Sequence, residues 1–149
     1  MADKYFNRKE AEDLLPLLED YLEAAIRQKR TVDDLGAQIT SATSRIMLMG
    51  GSIPPYAELS HAKAVFDKAA AELSENVEKI QQTGCVVKDL DEGLIDFPTL
   101  REGEEVYLCW KRGEKRIEYW HGLDEGFAGR KRLDDPRAEE PPSGKPRLQ

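Results

Sequence analysis

Two cysteines and two histidines are all that this chain of 149 residues offers for soft-metal or thiol chemistry, and neither Cys85 nor Cys109 stands in a C-x-x-C pair. That scarcity argues against zinc-ribbon and dithiol-redox proteins. No apolar run approaches the roughly 20 residues needed to cross a bilayer. Met1 to Arg8 lacks the basic start and apolar core of a secretory leader, so the expected compartment is the cytoplasm, with no membrane partner. P-loop, Rossmann glycine, H-E-x-x-H and G-x-S-x-G patterns are all missing, which weighs against the commonest enzyme classes. Basic residues are also outnumbered, 22 to 29, leaving a formal charge of −7 that repels phosphate backbones at long range. Nucleic acid is therefore a disfavoured partner.

What is present is helical periodicity, then strands. Asn7 with Glu10 three residues later reads as a capping box that starts a helix. Val32, Leu35, Ile39, Ala42, Ile46 and Met49 continue it at three-and-four spacing to Gly50-Gly51. After a loop containing Pro54 and Pro55, Leu59, Ala62, Phe66, Ala69, Leu73, Val77 and Ile80 repeat the spacing up to Gly84. The spacing predicts helices over about 8–49 and 57–83, paired antiparallel as a hairpin of coiled-coil character. At 1.5 Å per residue they would run about 60 and 40 Å, so the second covers only half of the first. The uncovered half carries Leu14, Leu15, Leu18, Leu22 and Ile26, with Pro16 expected to kink or reset it.

The segments that follow Gly84 supply a cover. "CVVKDL", "LIDFP", "EVYLCW" and "RIEYW" are short, rich in β-branched and aromatic residues, and separated by turn residues. They predict a four-stranded antiparallel meander over about 85–121, in which Lys88 forms an exposed ion pair with Asp96. The expected fold is α+β: one domain over 1–133, a long helical hairpin packed on the meander, and a disordered, proline-rich tail over 134–149.

"LLPLLEDYL", "GCVVKDLDEGLIDFP", "VYLCWKRGE" and "YWHGLDEGFAGR" together resemble a prokaryotic family of small uncharacterised proteins, domain of unknown function family 2203, from about Phe6 to Arg132. The resemblance implies a bacterial cytoplasmic protein. It brings no catalytic residue with it.

Three groups of residues carry chemistry. Cys109 and His121 invite a thiol–imidazole dyad or a metal pair. A hairpin centred near Gly113, however, sets Cys109 opposite Ile117 or Glu118 and leaves His121 roughly 10–13 Å away. Cys109 is then a small buried residue. Tyr107, Trp110, Tyr119 and Trp120, interleaved with Lys111, Arg112, Lys115 and Arg116, have the composition of a base-stacking platform. The leucine face needs about that much aromatic area to cover it, and the chain is acidic. In "HGLDEGFAGRK", His121, Asp124 and Glu125 can converge through glycine turns on a divalent cation, with Arg130 as a fixed positive charge for an anion. The same composition also serves a simple glycine-rich connection.

The favoured reading is a non-catalytic protein-interaction or assembly module, a homo-oligomer or a binder of another protein. Its motive is the apolar hairpin tip, where Ile46, Met47, Leu48, Met49 and Ile53 exceed what one seam can bury. The interface would be Met47, Leu48, Met49 and Ile53, with no cofactor. The alternative is a small metal- or anion-binding protein using His121, Asp124, Glu125 and Arg130. A hydrolase on those residues is third.

Overall fold

The computed structural model describes residues 4–48, 50 and 56–133. The expected tail over 134–149, Met49 and Ile53 lie outside them. Two helices lead the chain, α1 (Arg8–Leu48) and α2 (Tyr56–Gln82). Five strands follow: β1 (Val86–Asp89), β2 (Leu94–Arg101), β3 (Glu104–Lys111), β4 (Tyr119–Gly122) and β5 (Lys131–Arg132). A short 3₁₀ turn, Phe127–Gly129, precedes β5. The chain is α+β, and it divides into two compact units, one of residues 23–76 and one of residues 1–22 with 77–149.

In the unit of 23–76, α1 and α2 run antiparallel. Asn76 Nδ2 donates to Gln28 Oε1 at 2.8 Å, and a Cβ on Gly36 would sit 3.3 Å from the Phe66 ring. The pattern positions Val32, Leu35, Ile39, Ala42, Leu59, Ala62, Phe66 and Leu73 are each half-buried, as expected where each helix has one neighbour to shield it. Beyond this seam, Met47 is 77% exposed and Leu48 86%.

The other unit starts at the capping box. Asn7 Oδ1 accepts from the Glu10 N–H at 2.8 Å and Glu10 Oε1 accepts from the Asn7 N–H at 3.0 Å, satisfying two donors at the helix start. Pro16 stays inside α1 without ending it, on an exposed face where the carbonyl left without an N–H can be met by water. Ala11, Leu15, Leu18 and Leu22, one helical stripe, are buried in the unit that also holds the sheet.

The sheet is an antiparallel meander of order β1-β2-β3-β4-β5. The fifth strand corrects the expected four. Lys131 and Arg132 pair with Trp120 and Tyr119, two residues of pairing too short to leave an alternation pattern. Strand periodicity sorts the sheet's side chains into two faces. One face carries Ile95, Phe97, Thr99, Val106, Leu108 and Trp110, all buried, with Phe6 edge-on to Phe97 at 5.4 Å between ring centroids. The other carries Asp96, Tyr107, Cys109, Tyr119 and His121.

The β3–β4 connection decides what that second face contains. Residues 112–118 leave the ladder because α1 holds their far end: Arg8 Nε donates to the Ile117 carbonyl at 2.7 Å and the Ile117 N–H donates to Glu12 Oε2 at 2.8 Å. Ile117 itself is fully buried. Pairing resumes at Tyr119, which lies opposite Cys109, and His121 lies opposite Tyr107. The tight-hairpin register, with Cys109 across from Ile117 or Glu118, is thereby overturned.

Candidate functional site

With that register Asp96, Cys109 and Tyr119 line up across β2, β3 and β4, and His121 stands one pair further along on the same face. Side chains two residues apart on adjacent strands are within mutual reach. Three of these residues meet. Asp96 Oδ2 is 3.0 Å from His121 Nε2, and one ligand atom each from Asp96, Cys109 and His121 all lie within 4.8 Å of one another. Asp96 is 1% exposed, Cys109 1% and His121 2%. The expected separation of Cys109 from His121 by three or four residue lengths, roughly 10–13 Å, does not hold.

The hydrogen bonds orient the imidazole. His121 Nδ1 lies 2.9 Å from the Gly122 carbonyl oxygen, which can only accept, so Nδ1 carries the proton. In neutral imidazole Nε2 is then a bare lone pair, and it faces Asp96 Oδ2, a buried oxygen that accepts no hydrogen bond. Two lone pairs 3.0 Å apart repel unless a proton or a cation stands between them. Burial raises the Asp96 carboxyl above the ordinary carboxylate range, opposed by His121 and by the nearby Lys88 ammonium. The expected exposed pair of Lys88 with Asp96 is thus corrected. Asp96 is buried against His121, and Lys88 acts on it only through its field.

Cys109 is not poised as a nucleophile. Burial first, then the Asp96 carboxylate, pushes its thiol up to about 12, so it stays protonated unless a cation displaces the proton. A catalytic triad would need an imidazole nitrogen for the thiol and another for the acid. Here one nitrogen serves the Gly122 carbonyl and the other faces Asp96.

The cluster forms the floor of a cavity of about 300 Å³, lined also by Lys88, Leu94, Asp124, Glu125 and Phe127. The chain from Gly122 to Gly129 builds its wall. Glu125 Oε1 accepts from the Gly122 N–H and from Lys131 Nζ, and its carboxyl is held below the usual range first by Lys131 and then by that N–H. Close approach explains the glycines: a Cβ on Gly129 would meet Glu125 Cβ at 2.9 Å, and one on Gly122 would meet Oε1 at 3.1 Å. Arg130 straps this wall down. Its guanidinium donates to both Glu114 carboxylate oxygens at 3.0 Å and to the Cys109 carbonyl at 3.3 Å, and it stacks between Tyr119 and Phe127.

Of the residues expected to ligate, His121 therefore stands in the cluster, while Asp124 and Glu125 line the cavity above it and Arg130 is engaged by Glu114. Cys109, weighed as a partner of His121 and set aside on the expected register, belongs to the cluster after all, and Asp96 was missed. A signal existed for Asp96: it is the one charged residue in "LIDFP", a run apolar on both faces, where no solvent face awaits a carboxylate. His61 is exposed on α2, and Cys85 is buried with its thiol against the Ile80 carbonyl.

A family model described as "Uncharacterized conserved protein (DUF2203)" matches residues 4–133. No curated protein and no solved structure matches the chain. Among the described residues, no helix is long and apolar enough to cross a membrane.

Proposed function

We propose that this chain, which belongs to the DUF2203 family of uncharacterized conserved proteins, binds a divalent transition metal, zinc foremost, through Asp96 Oδ2, Cys109 Sγ and His121 Nε2. The observation that carries the reading is the imidazole's orientation. Nδ1–H bound to a backbone carbonyl is the usual outer-shell support of a ligating histidine, and it turns a bare Nε2 toward a buried carboxylate oxygen that accepts no hydrogen bond. A cation between them, reached by the Cys109 sulfur, satisfies all three at once.

The donor set selects the metal. Sulfur and nitrogen with a single carboxylate suit zinc and disfavour calcium or magnesium, which want oxygen. Zinc bonds of about 2.0–2.3 Å set tetrahedral ligands about 3.3–3.8 Å apart, within the spread of the cluster. Binding draws the proton from Cys109, and the resulting site is neutral: two positive charges against one carboxylate and one thiolate.

Protein purified without chelator is expected to carry close to one equivalent of zinc by elemental analysis. Zinc at a hundred times its dissociation constant should stabilise the fold by about 2.7 kcal/mol. Cobalt substitution should add a sulfur-to-cobalt charge-transfer band that Cys109→Ser removes. If no metal co-purifies and neither zinc nor manganese moves the melting temperature, the reading is wrong.

A second reading, self-association through the hairpin tip, is favoured by the exposure of Met47 and Leu48. Helix ends seldom present two large apolar side chains to water without a use. Light scattering should then show a dimer or larger species that Met47→Glu with Leu48→Glu converts to monomer at unchanged helicity. A wild-type monomer at high micromolar concentration rules it out.

A further inference from the structure

Structural zinc sites close all four positions with protein ligands, whereas catalytic ones keep a position for water. Asp96, Cys109 and His121 are the one such cluster among the described residues, so a fourth position would face the cavity. What lines that cavity completes a reacting centre. Asp124 and Lys88 both line it, and neither makes a hydrogen bond or ion pair among the described residues; the Lys88 ammonium rests 4.6 Å from the Tyr107 ring centroid. Glu125, by contrast, is held in place through Oε1 by Lys131 and the Gly122 N–H, and these contacts keep its carboxyl below the usual range, which makes it a weaker base. Leu94 and Phe127 give apolar wall. At about 30 Å³ per water, the space accepts roughly ten waters or a small organic molecule.

Resting on the metal reading above, we infer that the site is a metal-dependent hydrolase for small carboxylic esters that carry a negative charge, with Asp124 as general base and Lys88 as the anchor of the substrate's anionic group. In the step, water on the ion gives a proton to Asp124, and the hydroxide forms a bond to the ester carbonyl carbon. The carbonyl π pair moves onto oxygen, where the ion meets the charge. Collapse re-forms the double bond and breaks the bond to the alkoxide, which takes the proton from Asp124. The products are a carboxylic acid, which ionises to solvent, and an alcohol. No oxidant or reductant enters.

The test uses the full chain, zinc-loaded and zinc-free, with 4-nitrophenyl acetate as the neutral ester and mono-4-nitrophenyl succinate as the anionic one. Zinc content is measured on every sample. Zinc-loaded protein should turn over the succinate ester faster than zinc-free protein or the same concentration of free zinc. Asp124→Asn, an exposed substitution, should keep its zinc and lose about 10²–10⁴-fold in kcat. Lys88→Met should raise KM for the anionic ester about tenfold relative to the neutral one. Wild-type protein that holds zinc yet gives no turnover above free zinc overturns the hydrolase and leaves the metal site standing. Protein that holds no zinc overturns both. Retained zinc with full activity in Asp124→Asn overturns the general base, and an unchanged KM ratio in Lys88→Met overturns the anionic substrate.

Discussion

An Asp96→Asn protein is expected to bind zinc at least about a hundredfold more weakly than wild type, since even outer-shell changes cost 10–100-fold, and yet to be more stable than wild type when both are metal-free. The two effects have one cause. Asp96 is buried at the bottom of the cavity with an oxygen that accepts no hydrogen bond, and burial holds its carboxyl above the ordinary range. A carboxyl raised in this way keeps its proton to higher pH in the folded state than in the unfolded one. Its contribution is therefore full below the unfolded carboxylate range and is lost as pH rises through the raised value. Near neutrality the metal-free fold bears that loss, and an amide, which does not ionise and can donate to His121 Nε2, removes it. A buried unsatisfied polar group costs about 1–3 kcal/mol, and each kcal/mol moves the melting temperature by about 2–4 °C in a chain of this size. Calorimetry of chelator-treated proteins from pH 4 to 8 should show wild type losing ground to Asp96→Asn as pH rises. A variant that is less stable at pH 7, or that holds zinc as tightly as wild type, contradicts the site. His121→Ala offers the contrast: it should lose the metal and also lose stability, because it strips the buried carboxylate of the imidazole beside it.

Trp110→Ala should cost about 3–5 kcal/mol, the usual range for emptying a buried aromatic site. Trp110 is fully buried on the core face of β3, opposite Ile95 on β2. Its indole Nε1–H also donates to the Glu114 carbonyl at 2.8 Å, inside the loop that leads to β4. The substitution thus leaves a cavity and an unmet carbonyl in the same place. Glu114 is also the carboxylate that holds Arg130, and Arg130 secures the cavity wall. Disorder in this loop should therefore reach the candidate site. Urea unfolding should show a midpoint lowered at little-changed slope, and Trp110 in the folded wild type should emit well to the blue of indole in water. A loss below about 1 kcal/mol, or water-like emission from the single-tryptophan Trp120→Phe protein, contradicts this account of the core.

The helices and most strands could be read from residue order because their causes are local. The Asn7–Glu10 box and the three-and-four spacing of apolar residues specify α1 and α2 within one residue at each described end, since backbone hydrogen bonds and one buried stripe suffice. The Glu102-Gly103 turn, both residues with positive φ, likewise joins β2 to β3 in a register that alternation already implies. The meeting of Asp96, Cys109 and His121 had no such local cause. It depends on where β4 rejoins the ladder, and that is decided by Arg8 and Glu12, more than a hundred residues earlier in the chain, gripping both backbone groups of Ile117. Moving the register by one residue turns every side chain of a strand to the opposite face. A hairpin drawn from its turn residues alone leaves His121 three or four residues beyond the partner of Cys109, and on the other face if that partner is Glu118, whereas the strand pinned by α1 leaves it two residues beyond, on the same face. Residue order specified the two helices, four of the five strands and their sequence along the chain, and it offered His121 and Cys109 as ligating types. Which ligating side chains share a face, and that Asp96 joins them, came from contacts between distant segments, which set strand register.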